Sequence, residues 1–360
     1  EEAHKRGMEF HAWMNPYRIA QSADTSLFAA THAIRQHPEW FVTYGGQMYF
    51  DPGHPGSAKY TNEVVREFVS RYDVDGIHFD DYFYPYKVTA KDENGKTYVV
   101  DFPDTLTWEQ FGKPFFKDKD AWRRNNVNQL IRMLSQTIRE TKPWVKFGIS
   151  PFGVWRNKST DPVRGSDTQA GVQNYDDLYA DILLWSEKGW IDYVTPQLYW
   201  KIGKKIVDYP ILLDWWIKYS NGRHLYIGHS MGNGADEIER QIEMLRAKGY
   251  DQVQGSFYWN AASVLRNAKD RESNREMNPM LRSLNTAVAL VPPMPWLDMT
   301  APKAATDLQV SGSAPIVEVS WKPTYSDNLM YFLVYKFEKG QPVDVSDPSA
   351  IVVKLHYEND

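Results

Sequence analysis

Two rhythms of apolar and polar positions run along this chain of 360 residues. From residue 8 to residue 260, short runs that alternate apolar and polar are followed by longer stretches with a period near 3.6 residues. The alternating runs predict strands at 8–15, 75–81, 145–150, 191–200, 224–230 and 252–260. The longer stretches predict helices at 57–72, 121–141, 175–188, 211–219 and 236–248. In the first of these, Val64, Val65, Phe68, Val69 and Tyr72 fall on one side. Gly189 and Gly249 follow two of the helices as stop signals. Strand and helix in regular succession imply an α/β protein with a parallel sheet. Polar and aromatic residues collect at the carboxyl end of every predicted strand, as they do in a TIM-type (β/α)8 barrel. Six units are legible, so the barrel is expected to lack its first two βα units. A doubly wound sheet is the alternative, but no glycine-rich phosphate loop supports it.

The two ends depart from this rhythm. Residues 1–7 read as the last turns of a helix, with Lys5 and Arg6 near its end and Gly7 as its stop, so an upstream segment is expected. Residues 290–303 are proline-rich and read as a linker between a barrel at 1–289 and a small all-β, sandwich-like segment at 304–360. In that segment the runs 307–310, 316–321 and 330–335 alternate at period two. Their motifs resemble a partial fibronectin type III domain, with fewer residues than the roughly 90–100 such a domain takes.

Strand parity then selects candidate chemistry. Successive strand side chains point to opposite faces, and in a barrel the apolar set faces the covering helices. Ile77 and Phe79 therefore face outward, leaving His78 and Asp80 toward the axis. The same argument turns Glu9, His11, Trp13 and Asn15 inward on the first strand, and Tyr193, Thr195, Gln197 and Tyr199 on the fourth. Asn15, His78, Asp80, Gln197, Tyr199 and His229 should meet at the top. Glu9 has the right parity but sits about 20 Å lower, at about 3.3 Å per residue, and reads as structural.

Composition gives this cluster a substrate class. The chain holds 14 Trp, 22 Tyr and 16 Phe, flat faces that suit sugar rings or simple packing. A net charge of −5 argues against nucleic acid. There is no cysteine, which excludes thiol chemistry, disulfides and cysteine zinc sites. No apolar run has the length of a membrane span. Glycoside hydrolysis usually takes two carboxyl groups flanking the scissile bond. Asp80 is the first, and Asp81 is the second group or a partner that holds Asp80. Asp51 and Asp167 are further candidates for a second carboxylate; they read otherwise as a helix-capping loop residue and a turn residue. Arg18 either pairs with Asp80 or binds a substrate carboxylate. Trp13, Tyr17, Tyr82, Tyr84, Trp155, Tyr199, Trp200 and Trp259 are candidates for sugar subsites, and His78 and His229 for donors to hydroxyls.

Long ordered motifs carry a family resemblance. They include 11–18 (HAWMNPYR), 51–55 (DPGHP), 72–85 (YDVDGIHFDDYFYP), 122–127 (WRRNNV), 146–157 (KFGISPFGVWRN) and 192–200 (DYVTPQLYW). From about residue 1 to 285 the chain resembles the bacterial glycosyl hydrolase-like family 10. The resemblance implies a glycosidase-type barrel acting on a polysaccharide or glycan strand, with peptidoglycan glycan strands as the leading substrate. It also implies a periplasmic, outer-membrane-attached or extracellular location. No cofactor is expected. Two other readings compete. A non-catalytic glycan-binding protein would use the same aromatics. A metal-dependent hydrolase would need His11, His78, Asp80 and His229 as ligands.

Overall fold

The computed structural model describes residues 1–26, 28–265, 275–298, 300–313, 315–325 and 329–357. They form two compact units, His11–Arg282 and Glu1–Phe10 together with Ser283–Asp360.

The larger unit is built on six parallel strands: β1 (His11–Met14), β2 (Gly76–Phe79), β3 (Lys146–Ile149), β4 (Tyr193–Val194), β5 (His224–Ser230) and β6 (Gly255–Trp259). They pair in sequence order, which is the order of a (β/α)8 barrel. The sheet is curled. Trp13 on β1 meets Trp259 on β6 edge to face at 5.4 Å between ring centroids, although these strands stand at opposite ends of the hydrogen-bonded order. β4 is much shorter than the predicted strand at 191–200. Pro196 has no N–H to give the ladder, so pairing resumes only at Gln197, as single bridges to Phe152 and Gly228.

Helices α1 (Pro55–Arg71), α2 (Lys119–Thr141), α3 (Ile182–Glu187), α4 (Tyr209–Tyr219) and α5 (Ala235–Ala247) follow successive strands. α1 starts where Pro55 fits the first turn and His54 accepts from the Gly56 N–H. Its buried stripe is Ser57, Thr61, Val65 and Val69, at intervals of four, with Asn62 beside it. Val64 and Tyr72, expected on that stripe, are exposed. α2 is capped by Asp118, which accepts from the Asp120 and Ala121 N–H groups. The predicted helix at 175–188 is broken: Asn174–Asp177 is one turn, Tyr179 takes a positive φ of 55°, and Asp181 caps α3.

Side chains along the strands divide as parity requires. Ala12, Ile77, Phe79, Phe147, Ile149, Leu225 and Ile227 join the apolar core. On the axis side Tyr193 reaches across the sheet between His11 and His78, its hydroxyl 2.8 and 2.9 Å from their Nδ1 atoms. Gly148 makes room for that ring, since a Cβ at this position would lie 2.0 Å from the Tyr193 side chain. We expect Gly148→Ala to destabilise the protein by about 1–3 kcal/mol, the usual range for overpacking. Chemical denaturation measures it, and an unchanged midpoint would refute the packing account.

Two insertions escaped the periodicity. A three-stranded antiparallel sheet of Arg18–Ala20, Gln47–Phe50 and Phe41–Tyr44 follows β1, and the hairpin Val88–Lys91 with Thr97–Val100 follows β2. Each strand is three or four residues long, too short for alternation to stand out.

In the smaller unit, Thr306–Ser313 pairs antiparallel with Ile316–Lys322, and Tyr331–Tyr335 with Ile351–His356. His4–Arg6 is a 3-10 turn ended by Gly7 at φ 65°, and Gly7 lies against the Lys354 side chain. These are two-stranded sheets; the fibronectin type III likeness rests on the strand motifs alone. Among the described residues no helix is long and apolar enough to cross a membrane.

Candidate active site

A cavity of about 890 Å³ opens at the carboxyl ends of the six strands. Asp80 and Asp81 stand on its wall, where β2 ends. Asp80 is buried and accepts three hydrogen bonds: from Trp13 Nε1 at 3.0 Å, from Asn15 Nδ2 at 3.1 Å and from the Tyr82 N–H at 3.1 Å. Asn15 and Tyr82 both bond to Oδ1, which leaves Oδ2 with only the Trp13 bond. A proton on Asp80 therefore belongs on Oδ2. Burial is the main force on this carboxyl and pushes its pKa up to about 6, the Asp81 charge adding to it. The Tyr82 and Trp13 hydrogen bonds and the Arg18 charge oppose the rise.

Asp81 points to different partners. It accepts from the Tyr86 hydroxyl, and Gln197 also favours its charged form. Burial still raises its pKa. Burial and the two carboxylates raise Tyr86 and Tyr199 as well, so both stay phenols at neutral pH. His78 is driven down to about 3, by burial first and by neighbouring His11 second. It is a neutral imidazole.

The walls are aromatic and the rim carries amides. Trp13 and Trp259 line the cavity at 55% and 47% exposure, wide faces open to a ligand. The inserted sheet adds Tyr44, Tyr49 and Gln47, and Gln47 Nε2 donates to Gln21 Oε1 at 2.7 Å. Arg18 also faces the cavity. Its guanidinium lies 4.2 Å over the Tyr82 ring.

Of the residues read from the sequence, the structure thus brings together Asp80, Asp81, Arg18, His78, Tyr82, Gln197 and Tyr199, with Asn15 behind Asp80. The others lie elsewhere. Tyr17 is 1% exposed, because the chain bends after β1 and the Asn15 side chain, bonded to the Tyr17 and Arg18 N–H groups, turns it into the core. Trp155 is equally buried and stacks on Trp215 of α4. Trp200 packs edge-on against Phe152 outside the cavity lining. His229 faces the helices: its ring nitrogens meet Gln241 of α5 and Ser256, so the four ligands of a metal hydrolase are not gathered. Among the described residues no group of three or more His, Cys, Asp or Glu is placed to hold a metal ion. Asp51 is buried in a turn, accepting from Gly53 N–H and Thr107 Oγ1, and Asp167 is exposed on a loop. Neither lines the cavity.

Tyr86, Gln47 and Phe257 were not singled out by sequence. Phe257 had a signal, since it shares inward parity with Trp259. Tyr86 lies outside any strand or helix, and Gln47 opens a four-residue strand too short for its period to show.

Known proteins align with this chain over most of its length. It is 41% identical over 355 residues to the glycosyl hydrolase YngK of Bacillus subtilis, covering 94% of this chain and 66% of that protein. It is 41% identical over 271 residues to the glycosyl hydrolase DigH of Escherichia coli K12, covering 68% of this chain and 58% of that protein. Among solved structures, the glycoside hydrolase domain of PgaB from Bordetella bronchiseptica superposes with a TM-score of 0.42 at 12% identity, over 74% of this chain and 77% of that one. The family described as Glycosyl hydrolase-like 10 matches residues 1–242, a stretch that contains β1 to β5, both insertions and the Asp80-Asp81 pair; the chain belongs to that family.

Proposed function

We propose that the protein hydrolyses glycosidic bonds of a bacterial cell-envelope glycan, with peptidoglycan glycan strands as the first substrate to test, and that it works in the envelope or outside the cell. One observation carries this reading. A buried carboxyl with one oxygen left for a proton stands in a large cleft walled by exposed tryptophans. The glycosyl hydrolase names of its relatives support it.

Asp80 acts as the general acid. Its Oδ2 proton passes to the glycosidic oxygen as the bond from that oxygen to the anomeric carbon breaks; water supplies the hydroxyl that the carbon takes up, and its remaining proton restores the acid form of Asp80. Asp81, held by Tyr86, stabilises the positive charge that grows on the sugar ring. Trp13 and Trp259 hold apolar sugar faces.

The test is release of reducing ends from purified glycan strands, with Asp80→Asn beside the wild type. The pH profile adds a second check. The reactive form is protonated Asp80, whose fraction falls as pH rises through about 6. We therefore expect kcat/KM to fall above that pH, approaching about ten-fold per unit. A profile that rises there would sink the assignment of Asp80 as the acid.

A further inference from the structure

Resting on the proposed hydrolase reading, we infer that Arg18 recognises a carboxylate carried by the substrate sugar, beside the bond that Asp80 protonates. Arg18 is the one Lys or Arg among the described residues that line the cavity. The ion pair with Asp80 that the sequence allowed does not form, and among the described residues no Asp or Glu lies within salt-bridge distance of the guanidinium. Stacking on Tyr82 occupies the face of the group at 4.2 Å and leaves its N–H edge for another partner. That edge matches a carboxylate in two-point geometry.

The cation is also held in register with the catalytic group. Asn15 Oδ1 accepts from the Arg18 N–H at 2.7 Å while Asn15 Nδ2 donates to Asp80. The Tyr82 N–H donates to the same Asp80 oxygen. One amide and one backbone group thus tie Asp80 to both halves of the Arg18–Tyr82 stack. The rest of this rim is neutral: Gln21, Gln47 and Tyr49 donate and accept without charge. The Arg18 charge acts on Asp80 and Asp81 without an ion pair to either, which leaves its N–H edge open to a carboxylate brought by the ligand.

A sugar carboxylate has two common sources, an O-lactyl ether and an oxidised C6. The experiment follows Trp fluorescence, which Trp13 and Trp259 make sensitive to the cavity. The wild-type protein is titrated with tetrasaccharides of alternating N-acetylglucosamine and N-acetylmuramic acid, with free carboxylates or as methylamides, and with hyaluronan tetrasaccharides in the same two forms. We expect at least one free acid to bind about ten-fold or more tightly than its amide, a charged hydrogen-bonded pair being strong enough to do so. The preferred acid names the source. In Arg18→Gln that ratio should collapse toward one, and Arg18→Lys, which keeps the charge but not the fork, should retain part of it. Equal wild-type binding of each acid and its amide overturns the inference, and so does an equal loss on acid and amide in Arg18→Gln. The titration reads binding alone. Selective binding without release of reducing ends would overturn the hydrolase reading and leave the carboxylate subsite standing.

Discussion

Asp80→Asn should lower kcat on glycan strands by at least about 10³-fold, within the range set by loss of a general acid. The fold should survive. Asparagine keeps an oxygen for Asn15 Nδ2 and the Tyr82 N–H, the two donors that share Oδ1. Its amide then faces Trp13 Nε1, donor against donor, in place of the present 3.0 Å bond. That mismatch should cost about 1 kcal/mol of stability, the usual worth of one hydrogen bond. Glycan binding should persist, because the tryptophan faces and Arg18 remain. Reducing-end assays, denaturation midpoints and Trp fluorescence separate these three effects. Turnover close to wild type would remove Asp80 from the chemistry and leave the cavity as a glycan-binding site.

The largest stability effect is expected at Asp104, outside the cavity. Asp104 is fully buried and receives Arg123 in two-point geometry, Nε to Oδ2 at 2.8 Å and Nη2 to Oδ1 at 2.7 Å. Lys119 Nζ approaches the same Oδ1 at 2.8 Å. Arg123 is itself 4% exposed on α2, bonded to the Tyr179 hydroxyl and the Phe102 carbonyl. Asp104→Ala would leave a buried guanidinium short of its main counter-charge. Breaking such a pair from one side costs about 3–5 kcal/mol. The damage should spread to the site. Tyr84 packs edge-on against Phe102 and Tyr179, and it lies in the chain between Tyr82 and Tyr86, which serve Asp80 and Asp81. Urea denaturation gives the first effect and KM on glycan strands the second. A loss under about 1 kcal/mol would show that Asp101, which also meets Arg123 at 2.8 Å, carries the pair instead.

The parallel strands and their order were legible because each carries a two-residue rhythm next to a helix with a 3.6-residue one. β5 shows this best: predicted at 224–230, it spans His224–Ser230. Strand parity alone also puts His78 and Asp80 on the axis side. Polarity puts His229 with the inward residues, whereas Leu225, Ile227 and His229 share one face and meet the helices. Polarity is a weak guide where a buried imidazole finds partners such as Gln241 and Ser256.

By itself the sequence determined the succession of strands and helices, the inward carboxylate of Asp80 and the family. Those properties are local: a period, a residue type or an ordered motif fixes each one. Tertiary structure alone decided what surrounds Asp80. Trp13 comes to it from β1 and Asn15 from the bend that follows, Tyr193 bridges His11 and His78, and the short inserted sheet hangs Arg18, Gln47 and Tyr49 over the cavity. It also withdrew Tyr17, Trp155, Trp200 and His229 from the site. The reason is physical. The raised pKa of Asp80 comes chiefly from burial, and burial is set by residues that meet only after the sheet has curled.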